Sequence, residues 1–172
     1  MGKGIYNFIR FGVPMGIKNL IRFFPVIWNH RPYDYIYVFI LLKESLYELK
    51  ENIKNGYEIK ETRDKKVIKI ERCIEILNNI IEDNYMQIAE IELGYKVKLN
   101  VWDLEDDDES TCKENLKIYE LSEKIKEKEF KELLTILEGQ KHSHFLMFSS
   151  KSDSLNKWEK WYNGDGIFHW WS

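Results

Sequence analysis

Cysteine is scarce in this chain: Cys73 and Cys112 are the only two among 172 residues, and they do not form a CxxC pair. Two thiols make no disulfide framework. Proline is also scarce for the length, at three, and nine glycines are few. That excludes collagen-like and linker-dominated chains. Long apolar runs are absent; the longest is Tyr35 to Leu42, eight residues, where a bilayer-spanning helix needs roughly 20. The N-terminal cations and apolar residues are interleaved rather than split into the two regions of a signal peptide. Charge of one sign does not dominate either. Lysine and arginine number 26 against 29 acids, for a net charge of −3, so no DNA partner is expected. These absences together predict a protein of a reducing cytoplasm with no membrane span.

Motifs of chemistry are missing as well. There is no GxSxG, P-loop, GxGxxG or HExxH. Cys73 sits among apolar helical positions and reads as a structural thiol, while acidic neighbours dull Cys112. His142 and His144 alternate and would share one side of a strand, but HxH alone does not hold a metal without a third ligand such as His169 or Asp165. A solvent-facing pair is the preferred reading. No catalytic residue, metal site or cofactor is assigned, and an enzyme is the less favoured class.

What is present is apolar content of 44%, aromatic content of 15% and helical periodicity. That supports one helical domain over residues 1–172. Residues 1–33 carry Lys3, Arg10, Lys18, Arg22 and Arg31 and no acid. Ile17, Leu20, Ile21 and Phe24 share one helix face, Pro14 suits the first turn and Pro25 ends the helix. The arm, residues 1–31, reads either as a basic amphipathic device for a membrane surface, anionic ligand or partner, or as a helix packing its apolar face on the core. The second reading is preferred.

A second helix is predicted over Tyr33–Asn55, stopped by Gly56, with Tyr35, Val38, Leu42, Leu46, Leu49 and Ile53 in one stripe. A third is predicted over Thr62–Leu93, stopped by Gly94, with Val67, Ile70, Ile74, Leu77, Ile81 and Ile88 in near-heptad spacing. The two form an antiparallel αα-hairpin. Tyr95 to Val101 alternates with period two and reads as an extended segment on the hairpin. Residues 103–112 form an acidic, solvated loop, with six acids between Asp103 and Glu109. A fourth helix spans Lys113–Glu138, and a short one spans Ser154–Tyr162. The fold class is therefore all-α: a central antiparallel hairpin with N- and C-terminal helices packed across it. The alternative is α+β, pairing Tyr95–Val101 with His142–Phe148.

The segments Arg31-Pro32-Tyr33-Asp34-Tyr35, Leu41-Leu42, Cys73 to Leu77, Ile81 to Tyr85 and the terminal Trp170-Trp171 carry a likeness. In them the chain resembles a loose group of short bacteriophage proteins with an Arg-Pro-aromatic-Asp-Tyr opening to a long helix and a double tryptophan at the end. Those proteins often finish on an acid; here Ser172 follows instead. The resemblance implies a phage product acting in the host bacterial cytoplasm, and no particular chemistry.

Aromatic residues and cations crowd two places. One is His30 to Tyr37; the other is Trp158 to Trp171. Aromatic faces stack on bases, and a helix N-terminus suits phosphate. If these ends meet, Arg31 would pair with phosphate, Tyr33, Tyr35, Trp170 and Trp171 would offer stacking faces, and His169 would hydrogen-bond a sugar or phosphate. The competing reading has the tryptophans closing one end of the bundle. With phage origin added, the first functional expectation is a non-catalytic protein that sequesters a small anionic ligand, an immune-signal nucleotide, as an anti-defence sponge. The alternatives are a protein-interaction factor, whether an inhibitor of a host protein or a virion assembly component, and a metal-dependent hydrolase. Apolar surface on more than one side of the second helix predicts a homo-oligomer.

Overall fold

The computed structural model describes residues 6–29, 34–97, 109–139 and 162–170. Its elements are a π-helical turn Phe8–Gly12, α1 Val13–Trp28, α2 Ile36–Lys54, α3 Lys60–Glu82, α4 Tyr85–Leu93, α5 Glu109–Glu138 and a 3-10 turn Ile167–His169. The fold is all-α, with the α2–α3 hairpin at its centre. No strand occurs among the described residues; residues 98–101 and 142–148 lie outside them, as does the helix expected over Ser154–Tyr162 except for Tyr162, which is not helical.

Local chemistry sets the ends of the hairpin. Asp34 accepts a hydrogen bond from the Ile36 amide at 3.0 Å as α2 begins. Asn55 closes α2 by donating its backbone N–H to Glu51. The stripe Leu46, Leu49 and Ile53 then meets Val67, Ile70, Ile74 and Leu77 of α3 in one core, joined by Leu133 and Ile136 of α5. Burial of such side chains is worth about 1.5–3 kcal/mol each, and it is what holds three long helices together.

The single long third helix is a correction. The chain breaks at Asp83, which adopts the left-handed conformation (φ 52°, ψ 44°). Asp tolerates this better than most residues. The break lets α4 turn away and pack on α5, with Tyr85 and Ala89 both fully buried. Helix α5 runs antiparallel to α3, since Arg72 meets Glu132 and Asn79 meets Glu129. Helix α5 also starts at Glu109, earlier than expected; residues 103–108 lie outside the described ones.

The arm departs from expectation twice. Helix α1 runs through Pro25 to Trp28. Proline in the last turn removes one backbone donor, and the helix nevertheless continues for three more residues. More important, α1 buries none of its residues. The preferred reading, with its apolar face on the core, is overturned: α1 is tied to α2 by ion pairs, Phe23 and Val26 are half-buried, and the larger apolar face points away.

Candidate functional site

The arm is fixed by three ion pairs. Lys18 reaches Glu48 at 2.6 Å, and Arg22 pairs with Glu44 at 4.0 Å and with Glu48. These residues lie on the side of α2 opposite Leu46 and Leu49, so α2 is held between the arm and α3. Turning its cations to α2 leaves Val13, Ile17, Leu20, Ile21, Phe24, Ile27 and Trp28 facing out, each between 39% and 75% exposed. Phe24 and Trp28 stack at 5.3 Å between ring centres. Phe8, Ile9 and Phe11 continue the exposed apolar surface toward the N-terminus, and Arg10 sits over the rings of Tyr6 and Phe11. Monomeric proteins rarely leave so continuous an apolar face in water. No described helix is long and apolar enough to cross a membrane.

A concave surface lies at the α2 N-terminus, with a cavity of about 530 Å³. Tyr35, Phe39, Ile80, Ile81 and Phe130 line it, and Asp83, Glu123 and Glu127 stand around it with Lys126 as the one described cation. Its surplus of carboxylates does not suit an anion.

The expected site residues fall into separate places. Arg31, Tyr33 and Trp171 lie outside the described residues. Tyr35 is exposed and lines the cavity just described. Trp170 lies at the opposite end of the hairpin and is 1% exposed, so it presents no free face for stacking. Its indole N–H donates to the Gly164 carbonyl at 2.7 Å. The neighbouring Asp165 pairs with Lys69 of α3 at 3.0 Å, whereas Tyr35 shares its cavity with Ile80 and Ile81 of the same helix. Eleven residues of helix separate Lys69 from Ile80, roughly 17 Å at 1.5 Å per residue. The described residues therefore do not bring Tyr35 together with Trp170. His169 stays beside Trp170 and meets Tyr162 edge-on at 6.0 Å.

Trp170 belongs to a clasp that closes the bundle. Gly164, with φ 91°, lies so close to the Lys65 carbonyl that any Cβ would collide with it, and Gly139 (φ 68°) meets Gly166 in the same way. The Gly166 amide donates to the Ile136 carbonyl at 2.8 Å. Burial beside Asp165 pushes the Tyr162 hydroxyl above its ordinary pKa. The spacing Gly164-Asp165-Gly166 was the available sequence signal for this close approach.

Between α3 and α5 lies a polar knot that no motif announced. Arg72 donates to both carboxylate oxygens of Glu132 at 2.9 Å and to Glu129 at 3.0 Å, while Asn79 donates to Glu129 at 3.0 Å. Arg72 is held above its usual pKa, and Glu132 below the usual carboxylate range, chiefly by their mutual hydrogen bonds. The fork-on-fork geometry fixes the register of the two helices. Cys73 beside it is fully buried, and desolvation, with Asp165 and Glu132 nearby, pushes its thiol up to about 12. Among the described residues, no three of His, Cys, Asp and Glu gather as metal ligands; His142 and His144 lie outside them.

Comparison with known protein families, with characterised proteins and with solved structures gives no match to this chain.

Proposed function

We propose that this protein is a non-catalytic interaction factor whose working surface is the outward apolar face of α1, and that, as a protein resembling phage products, it acts inside an infected bacterium. The observation that carries the reading is the set of seven large apolar side chains from Val13 to Trp28, all on one face and none buried. Leaving them in water costs about 25 cal/mol for each Å² of apolar surface. The body does not take this face in; it fastens the arm by its other side. A helix presented in this way is an anchor for a protein surface.

The anionic-ligand reading stands behind this one. It calls for a basic, aromatic pocket, and the described cavity is apolar with a carboxylate surplus.

The test is purification of the tagged protein from infected cells, as wild type and as Ile21→Glu. The reading expects a protein companion, a second copy or another chain, with the wild type and its loss with the variant. Identical companions and identical association for the two proteins contradict it.

A further inference from the structure

The outward face of α1 has a repeat that specifies its cover. Val13, Ile17, Leu20, Phe24 and Ile27 follow one another in steps of four, three, four and three residues. That is the a/d spacing of helices that pack side by side, knobs into holes. Ile21 and Trp28 flank the seam on one side and Gly16 and Phe23 on the other, so the flanks carry no charge. Lys18 and Arg22 occupy the opposite side of the helix and are paired with Glu44 and Glu48 of their own chain.

This distribution distinguishes between occupants. A helix that lies in an anionic lipid surface places lysine and arginine along the edges of its apolar face, where they reach headgroups. Here the edges from Val13 to Trp28 are apolar; Lys18 and Arg22 are paired with carboxylates of the body, and the third described arm cation, Arg10, lies before the seam over the rings of Tyr6 and Phe11. A seam with uncharged flanks is self-complementary: two copies meet with no like charges opposed. The seven side chains together expose on the order of 800 Å², a ceiling on what each copy can bury that reaches the roughly 800 Å² per partner of a standard interface.

We infer that α1 pairs with α1 of a second copy of this chain, seam to seam. The inference rests on the reading that the face is an interaction surface, and it names the occupant.

The experiment is light scattering of the full-length chain over a micromolar concentration series. Wild type, Ile17→Glu/Leu20→Glu and, as a control on the Tyr35 cavity, Phe130→Glu are compared, with circular dichroism of each. The expected result is a mass of twice 20.8 kDa for wild type and Phe130→Glu. The seam variant should associate at least about 100-fold more weakly, because the pairing would bury carboxylates without partners. Its helix content should be unchanged, since the substituted side chains are exposed within one copy. A monomeric wild type, or a seam variant that still dimerises, overturns the inference. So does loss of dimerisation in Phe130→Glu with its helix content intact, which would assign the contact to the cavity. Flotation of monomeric wild type, but not of the seam variant, with phosphatidylglycerol vesicles overturns it in favour of a membrane. If the wild type is monomeric yet loses a specific protein companion on Ile17→Glu/Leu20→Glu, the inference fails and the interaction reading survives. If the two proteins behave alike in every assay, both fail.

Discussion

Arg22 of the arm is ion-paired with Glu48 on the back of α2, and this contact decides which way the apolar face of α1 points. Lys18 shares the same carboxylate. Partly exposed pairs of this kind contribute about 0–1 kcal/mol each. The arm is thus held firmly enough to be oriented and weakly enough to be released.

Glu48→Lys should release it. The expected outcome is faster proteolysis within residues 13–28, with the melting temperature of the body shifted by only a few degrees. Raised salt should move wild type in the same direction by screening the pairs. Unchanged cleavage rates would mean that the ion pairs do not orient the arm.

Trp170→Ala should cost about 3–5 kcal/mol, the range for removing a buried aromatic side chain. The loss comprises the cavity left in a site where Trp170 is 1% exposed and the Gly164 carbonyl left without its donor. Thermal or urea denaturation measures it. A shift below about 1 kcal/mol would show that the clasp does not close the core.

The hairpin was legible because burial and periodicity coincide there. Leu46, Leu49 and Ile53 repeat at helical spacing and are the residues that reach the core. The break at Asp83 was not legible, since Glu82-Asp-Asn84 interrupts the apolar pattern no more than an ordinary exposed turn does. The orientation of α1 was not legible for a different reason. Amphipathicity identifies two unlike faces of a helix but not which is covered, and here the charged face found partners at Glu44 and Glu48. The tryptophans were visible as a cluster. Whether Trp170 plugs the bundle or lines a pocket depended on Gly164 and Gly166 approaching α3 and α5, a long-range contact that local pattern does not carry.

Arg72→Met should destabilise the protein by about 2–3 kcal/mol at neutral pH, less than for a fully buried pair because Arg72 and Glu132 keep some solvent contact. The pH dependence has a definite sign. The folded-state pKa of Glu132 is depressed below its ordinary 4.5. Its contribution is therefore present above that value and is lost as pH falls through the folded-state value. Wild type should lose stability on acidification through this window, and Arg72→Met should lose less. Parallel acid profiles would exclude the Arg72–Glu132 bond as their source.

Native protein at mildly alkaline pH should react with a thiol reagent at one site, Cys112, which is exposed, and at two sites once denatured. Cys73 is both buried and held at a pKa of about 12, so its thiolate is scarce and shielded. Rapid native labelling of Cys73 would contradict the packing of α3 against α5.

The central claim is that the apolar face of α1 is covered by a second copy of this chain, and hydrogen exchange across the arm tests it most directly. The full-length protein is followed at high and low concentration. The account predicts that amides of residues 13–28 exchange slowly when concentrated and much faster on dilution, while those of α3 are protected equally in both. Exchange in the arm that is fast, or that is the same at every concentration, would contradict it.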